Sequence, residues 1–323
     1  MTRSLVAAVS GADGFIGRNL CQRLRKDGFT VRPIYGPRWR GNRAEKEHCL
    51  TIDFNRGLLS QQALEGCDVL IHLAGIAHQL KGADGEAIER INGHLPSSLA
   101  LIAHQAGVRR FVFLSSLAVT PLLENRITGS EKIPALKDKY AAAKLLAESR
   151  LREVAGETGI ETVIVRPPAV YGPGAPGRLS QLMRLIRLGV PFPCAHNKRS
   201  LIGVGNLVNL LVVCSHHAQA AGETFPVSDC ELSTNEIIRL IAQGMGRTPV
   251  FLPIPKSFVM LCLNALNQTR EASHYFDSFV ADSEAAGRRL GWRPLKPASE
   301  GLIETGAYFA KCLRNGAANP LHG

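Results

Sequence analysis

The sequence predicts an α/β fold, a doubly wound parallel sheet followed by a smaller C-terminal lobe. Over the first half of the chain, short apolar runs that are typical of buried strands alternate with segments of helical periodicity. A glycine-rich loop joins the first apolar run to the first helical segment. Beyond Arg166 the alternation is lost and prolines and glycines punctuate the chain, which indicates a change of architecture.

The glycine-rich loop predicts a binding site for a dinucleotide. Leu5–Val9 has the pattern of a buried strand, and the helical pattern begins immediately after Gly17. Gly11, Gly14 and Gly17 stand between them, where a tight turn and the close approach of a phosphate both require the absence of a Cβ. The amides of the helix N-terminus would then face the pyrophosphate.

The remaining strands and helices of the first half follow from the same periodicities. The predicted strands are Thr30–Ile34, Cys49–Ile52, Val69–Leu73, Phe111–Leu114 and Thr162–Val165, and the predicted helical segments are Ser60–Leu64, Glu86–Gln105 and Tyr140–Thr158. Ligands of such sheets bind at the carboxyl ends of the strands, near the point where the strand order reverses. We therefore expect the functional side chains directly after the strands.

The irregular second half predicts a separate lobe. Pro167-Pro168, the run Tyr171-Gly-Pro-Gly174 and later prolines are typical of turns. We expect a cofactor-binding domain over residues 1–168 and a mainly substrate-binding lobe over residues 169–323, with residues 200–228 packing back on the first domain.

Composition excludes several classes of function. The net charge of +11 comes from dispersed basic residues without a nucleic-acid-binding motif, so a dianionic small ligand is the expected partner rather than a nucleic acid. The eight cysteines are scattered without Cys-x-x-Cys spacing, which favours reduced thiols in a cytoplasm, and no metal-ligand cluster is expected. The apolar stretch Phe258–Leu266 is too short to span a bilayer, and we expect a packed helix there rather than contact with a membrane surface.

Tyr140 and Lys144 are the candidate acid–base pair. Their spacing of four in an alanine-rich helical segment puts both side chains on one helix face. A phenol titrates near ~10, and a neighbouring ammonium together with a cationic nicotinamide would lower its pKa. Ser116 follows the strand that ends at Leu114, where its hydroxyl could bind a substrate oxygen.

Nearly the whole chain resembles the extended short-chain dehydrogenase/reductase family of nucleotide-sugar epimerases, dehydratases and ketoreductases. The motifs that carry the resemblance occur in family order: Gly11-Ala-Asp-Gly14-Phe-Ile-Gly17, Asp53, His72-Leu-Ala-Gly75, Asn92, Phe113-Leu-Ser-Ser116, Tyr140-x-x-x-Lys144, Arg166-Pro-Pro-Ala-Val-Tyr-Gly-Pro-Gly174 and Leu290-Gly-Trp-Arg-Pro294. The resemblance implies a Rossmann-like cofactor domain and a homodimer.

The resemblance also implies roles for individual residues. The catalytic residues would be Ser116, Tyr140 and Lys144. The cofactor NADP or NAD would be bound by Gly11, Asp13, Gly14, Phe15, Ile16, Gly17, Arg38, Asp53, Phe54, Leu73, Ala74, Gly75, Tyr140, Lys144 and Pro167. The UDP-sugar substrate would be bound by Asn92, Ser116, Tyr140 and Arg199, whose guanidinium would grip the pyrophosphate.

One departure from the family pattern bears on the cofactor. The carboxylate that usually follows the second strand and binds the adenosine ribose of NAD is absent, and Arg32, Arg38 and Arg40 are nearby. A 2′-phosphate would be tolerated there, so NADP is favoured over NAD.

Three reactions share this scaffold, and the sequence favours one of them. A dehydratase has an Asp-Glu pair after the strand-end hydroxyl, whereas Ser116 is followed by Leu117-Ala-Val-Thr120. The missing ribose-binding carboxylate favours exchangeable NADPH, and the second-lobe sequence resembles bacterial reductases of UDP-4-keto-6-deoxy-N-acetylhexosamines, which implies a 4-ketoreductase in surface-polysaccharide assembly. A UDP-glucose or UDP-N-acetylglucosamine 4-epimerase with tightly bound NAD is the alternative. A non-catalytic NADP-binding regulator is disfavoured because Tyr140 and Lys144 are both present.

Overall fold

The computed structural model describes residues 4–36, 50–51, 59–76, 84–120, 138–265 and 275–315. These residues fold into two compact units. Unit 1 takes the described residues within 1–167, 207–227 and 283–293, and unit 2 takes those within 168–206, 228–282 and 294–323.

Unit 1 is built on a parallel sheet of seven strands. They are β1 Val6–Ser10, β2 Thr30–Tyr35, β3 Leu50–Thr51, β4 Val69–His72, β5 Arg110–Leu114, β6 Glu161–Arg166 and β10 Thr224–Pro226. Their order across the sheet is β10-β6-β5-β4-β1-β2-β3. The chain builds the sheet outward from β1 in one direction and from β4 in the other. The order therefore reverses between β1 and β4, where an α/β sheet leaves a crevice for a ligand.

The helices of unit 1 bury apolar side chains, except for the four-residue helix Gly85–Ile88, which buries none. They are α1 Phe15–Lys26, α2 Gly85–Ile88, α3 Leu95–Gln105, α4 Lys139–Thr158, α6 Val204–His216 and α9 Glu284–Leu290. A cluster of buried residues joins β1, β4, β5 and β6 to α3 and α4 through side chains such as Leu70, Leu99, Phe111 and Leu151. The predicted α/β class and the Rossmann-like parallel sheet are confirmed.

Unit 2 contains two small sheets and four helices among its described residues. The strands are β7 Ala169–Tyr171, β8 Phe192–Pro193, β9 Arg199–Gly203, β11 Cys230–Leu232 and β12 Phe251–Leu252, and the helices are α5 Arg178–Leu188, α7 Thr234–Gly244, α8 Lys256–Ala265 and α10 Ala298–Arg314. β9 lies between β7 and β11, and β8 pairs with β12. A second core, which includes Ile238, Leu302 and Phe309, holds α7 and α10 together.

Three helical predictions are wrong in detail. The segment predicted as a helix over Ser60–Leu64 is a short 3₁₀ turn, Gln61–Leu64. The single helix predicted over Glu86–Gln105 is interrupted by a π-helical segment, Glu89–His94. The Phe258–Leu266 stretch does form a helix up to Ala265, but Phe258 and Leu261 are 58% and 67% exposed instead of packed.

The structure gives a physical reason for the π-helical segment. A Cβ on Gly93 would lie 3.1 Å from Leu146 Cδ2 and 3.3 Å from Ala143 O, so the segment packs closely on α4. The adjacent Asn92 turns inward and bonds the main chain of Ile76. A π turn shifts the helical register by one residue, and helical periodicity alone does not predict it.

Candidate active site

The glycine loop after β1 fits a group that must lie close to the backbone. Gly11 has a φ of +73°, and a Cβ there would lie 2.9 Å from the Ala74 nitrogen. A Cβ on Gly17 would lie 2.0 Å from Gly11 O, so only glycine lets α1 begin against the loop. The loop is therefore held against the segment that follows β4, at the point where the strand order reverses.

The N-terminus of α1 presents its first amides beside this loop. Gly14 is the N-cap and offers no side chain to accept them, and the first turn contains no acidic residue. Helix geometry leaves the first amides without intrahelical acceptors, so an anion is the expected partner. Phe15 and Ile16 are half-buried in this turn, and the main-chain oxygen of Asp13 accepts a bond from Arg18 Nη1 at 3.1 Å. These residues fit a dinucleotide pyrophosphate.

The segment after β4 lines the other side of the loop. Leu73 N donates to Ser10 O at 3.1 Å, Ala74 is buried and Gly75 is exposed. A Cβ on Gly75 would lie 2.7 Å from Asn92 Oδ1 and 3.8 Å from Lys144 Nζ, so this glycine lies next to the candidate lysine.

Asn92 positions this segment. Its side chain is fully buried, its Oδ1 accepts from Ile76 N at 2.8 Å, and its Nδ2 donates to Ile76 O at 2.9 Å. Since the main chain of one residue occupies both ends of the amide, these contacts do not support the prediction that Asn92 binds substrate.

Ser116, Tyr140 and Lys144 come together at the carboxyl end of β5. Ser116 follows the strand as the N-cap of a short 3₁₀ turn, and its hydroxyl bonds the side chain of Tyr140. Lys144 is 4% exposed, donates from Nζ to Leu114 O at 2.9 Å, and places its ammonium 4.5 Å from the centre of the Phe113 ring. Pro167 is buried beside this turn, since its carbonyl accepts from Leu117 N at 2.9 Å.

The pKa of Tyr140 corrects one expectation. Burial raises the pKa of the phenol to about 12, the hydrogen bond with Ser116 opposes the rise, and the charge of Asp138 adds to it. Burial also lowers the pKa of Lys144 to about 8, and the charge of Glu148 opposes that shift. In the protein without a bound cofactor, desolvation is thus the largest influence on both pKa values, and the phenol is made less acidic.

A buried cluster of charged and hydroxyl side chains connects the segments that carry these residues. Glu148, fully buried one turn beyond Lys144, accepts from Ser115 Oγ at 2.6 Å and from Arg166 Nε at 2.9 Å, with a second, shorter contact from Arg166 Nη2. Ser115 precedes Ser116 in the chain, and Arg166 precedes Pro167. One carboxylate thus joins α4 to the ends of β5 and β6. Glu148 was not predicted, although its spacing of four from Lys144 was a visible signal.

Arg199 lies in unit 2, at the start of β9. Its Nη1 donates to Asp277 O at 3.1 Å, and its guanidinium lies 5.9 Å from the centre of the Phe279 ring. Burial and the charge of Arg178 lower the pKa of Arg199, and the charge of Asp277 opposes them, so the two guanidinium groups are near enough for their charges to interact. Such a pair suits a dianion. Arg178, which begins α5 directly after Gly177, was not predicted.

Three predicted cofactor residues, Arg38, Asp53 and Phe54, lie outside the described residues, as does Arg40. Arg32, which the sequence also offered to a 2′-phosphate, donates from Nη1 to the carbonyls of Ala63 and Glu65 at 2.8 and 2.9 Å. Because its guanidinium is engaged with the main chain, the structure does not support Arg32 as a ligand of that phosphate.

Among the described residues, no helix is both long and apolar enough to cross a membrane.

Known proteins are similar to this chain in sequence and in fold. The chain is 31% identical to a UDP-glucose 4-epimerase of Vibrio cholerae, over 93% of this chain and 94% of that protein. It is 30% identical to a ceramide reductase of Caulobacter vibrioides, over 77% of this chain and 74% of that protein. The UDP-glucuronic acid 4-epimerase of Bacillus cereus, solved in complex with NAD, has the same fold, with a TM-score of 0.71, 20% identity and coverage of 96% and 99%.

A family model matches residues 7–227, which include every described candidate residue of unit 1 and both arginines of unit 2. The chain belongs to the NAD dependent epimerase/dehydratase family.

Proposed function

We propose that this protein is an NADPH-dependent 4-ketoreductase that adds hydride to C4 of a UDP-4-keto-6-deoxy-N-acetylhexosamine. The observation that carries the proposal is the hydroxyl pair of Ser116 and Tyr140 beside the buried ammonium of Lys144. The bound nicotinamide would supply the hydride. The chain's own residues would bind the sugar nucleotide and deliver the proton.

Tyr140 is suited to the role of proton donor. With a pKa of about 12, the phenol is protonated at neutral pH and can donate to the C4 oxygen as negative charge develops there. Ser116 would hold the same oxygen by a second hydrogen bond. Lys144, whose position lies one helical turn from that of Tyr140, would stabilise the phenolate that remains.

The end of β2 bears on the cofactor that this reaction would use. The lack of a carboxylate in Tyr35-Gly36, where β2 ends, favours a cofactor that carries a 2′-phosphate.

In unit 2, Arg199 and Arg178 would bind the diphosphate of the sugar nucleotide. The positive charges of these two guanidinium groups repel each other, and an anion bound between them would neutralise that repulsion. A diphosphate would suit this position because it can accept bidentate hydrogen bonds from both arginines.

A UDP-hexose 4-epimerase is the second candidate. It is favoured by the Vibrio cholerae relative, which carries that name and matches nearly the full length. The Caulobacter vibrioides relative is named a reductase, so relationship alone leaves both reactions open.

Two assays on the purified protein separate the candidates. In the first, the 4-keto sugar nucleotide is added with NADPH, and loss of nicotinamide absorbance together with formation of the 4-hydroxy sugar is expected. In the second, UDP-glucose or UDP-N-acetylglucosamine is added without cofactor. Interconversion at C4 in the second assay would overturn the reductase assignment.

A further inference from the structure

Unit 2 carries a cluster of exposed apolar side chains that the proposed reaction does not use. Eleven large apolar residues of the described chain are exposed, and seven of them belong to α5, α8 and the β8–β12 ladder with its flanking residues. We call these seven the apolar surface: Leu185, Leu188, Val190, Val250, Leu252, Phe258 and Leu261. Four of them are more than half exposed.

The strand pairing explains why Val250 and Leu252 face outward. Phe192 of β8 pairs with Phe251 of β12, and both rings contribute to the core of unit 2. Side chains alternate along a strand, so Val250 and Leu252, on either side of Phe251, point to the opposite face. The ladder also joins Val250 to the strand that follows α5 in the chain, since Phe192 N bonds Val250 O at 2.8 Å.

Helix α8 extends the same surface. The chain turns tightly after β12, with Ile254 N bonded to Leu252 O at 2.8 Å, and enters α8 at Lys256. Phe258 and Leu261 are three residues apart and therefore lie on one helix face. They are 58% and 67% exposed, whereas Val259 and Met260 are half-buried.

The charges around the apolar surface are mainly positive. Residues 162–222 and 237–270 contain no aspartate or glutamate, and these ranges include all of α5, β8, β12 and α8. The basic residues Arg184, Arg187, Arg247 and Lys256 are exposed beside it, and Lys256 pairs with Asp277 at 2.8 Å. Apolar side chains fringed by basic ones match the boundary between the acyl chains and the anionic headgroups of a lipid bilayer.

We propose that the apolar surface of unit 2 binds the protein peripherally to an anionic lipid membrane. Phe258, Leu261 and Leu188 enter the headgroup–acyl boundary, and Arg184, Arg187 and Arg247 contact the phosphates. With ten residues, α8 is too short to cross a bilayer, so it lies in the plane of the interface. A second copy of this chain would offer the same basic fringe and is a poorer electrostatic match.

The test uses the purified full-length chain and sedimented vesicles. Vesicles of phosphatidylcholine with phosphatidylglycerol are expected to retain the protein. Vesicles of phosphatidylcholine alone are expected to retain at least about tenfold less protein. The double variant Phe258→Ser/Leu261→Ser and the double variant Arg184→Glu/Arg187→Glu should each reduce retention by about tenfold. Leu188→Ser, on α5, should also reduce retention and tests a different element.

Leu295→Ser is the matched control, because Leu295 is 63% exposed in unit 2 but lies outside the apolar surface. It should bind like the unsubstituted protein, and nicotinamide-dependent activity should confirm that each variant is folded. Equal retention by the two vesicle types, no retention by either, or retention that the serine variants leave unchanged would overturn the proposal. Concentration-dependent oligomers in light scattering that Phe258→Ser/Leu261→Ser dissociates would also overturn it, in favour of an interface between copies.

Discussion

Glu148 and Arg166 form a buried ion pair that links the middle of α4 to the end of β6. The carboxylate is fully buried, and it also accepts from the Ser115 hydroxyl at 2.6 Å and from Arg152 Nη2 at 3.2 Å. The two strand ends that it joins continue into Ser116 and Pro167, and its own helix carries Tyr140 and Lys144. The Glu148 carboxylate therefore holds together the three segments that carry these candidate residues.

Breaking this pair should destabilise unit 1. Glu148→Gln leaves Arg166 buried without its counter-charge, which costs about 3–5 kcal/mol, and the change is measured by denaturant unfolding. Arg288→Ala removes an ion pair of α9 in which both side chains are mostly exposed, and it should cost less than about 1 kcal/mol. Similar losses for the two variants would contradict the role given to Glu148.

Tyr140→Phe should remove the proton donor without removing the cofactor site. Turnover should fall by a factor of about 10²–10⁴, because general acid catalysis typically contributes that much. The dissociation constant of NADPH, measured by calorimetry, should change little. Tyr308→Phe, at an exposed position of α10, serves as the control and should keep full turnover. A Tyr140→Phe variant with normal turnover would refute the proposed chemistry.

Gly17→Ala should abolish cofactor binding. The added Cβ would lie 2.0 Å from Gly11 O, so the loop or α1 must move away from the position that admits a pyrophosphate. Gly156→Ala is the control, since no atom lies within 4 Å of its added Cβ on the exposed side of α4. It should stabilise the protein by about 0.5–1 kcal/mol. Calorimetric titration with NADPH and NAD reports both variants, and unimpaired binding by Gly17→Ala would contradict the assignment of this loop.

The burial of Lys144 should appear as a pH-dependent stability difference between the wild type and Lys144→Met. In the folded state the pKa is lowered from 10.5 to about 8, so below pH 8 the buried ammonium costs stability that the methionine avoids. The cost decreases as pH rises above 8, because the folded lysine loses its proton while the unfolded one keeps it. The advantage of Lys144→Met should therefore shrink by about 1 kcal/mol between pH 7 and pH 9.

Denaturant unfolding of both proteins at the two pH values measures this difference. Taking the difference cancels the contributions of cysteines such as Cys21 and Cys214, whose pKa values burial raises. A difference that is constant with pH would show that Lys144 titrates normally.

Arg178→Ala and Arg199→Ala should weaken binding of the sugar nucleotide. Loss of a charged hydrogen bond to phosphate costs about 1.5–3 kcal/mol, which corresponds to a rise of about 10–150-fold in the inhibition constant of UDP. Lys198→Ala, at the exposed neighbouring position, should change that constant by less than about threefold. Equal effects of all three variants would point to general charge attraction rather than a binding pair.

Local sequence patterns predicted most of the framework that carries the site. Strand and helix periods placed β1, β2, β4, β5 and β6 within a residue or two of their observed bounds, because buried parallel strands are continuous apolar runs. The glycine loop could be assigned because its requirement is steric and local: Gly17 has no room for a Cβ. The spacing of Tyr140 and Lys144 needed only the geometry of one helix.

Long-range contacts decided the rest. The sequence determined which residue types stand at the strand ends. The inward orientation of Asn92, however, depends on its hydrogen bonds with the main chain of Ile76. The π-helical segment is associated with the close approach of Gly93 to α4. The raised pKa of Tyr140 comes from burial, which no residue spacing encodes. Only the folded chain brings Arg166 to Glu148 and leaves Phe258 in solvent, because desolvation and exposure are properties of packing between elements that lie far apart in the chain.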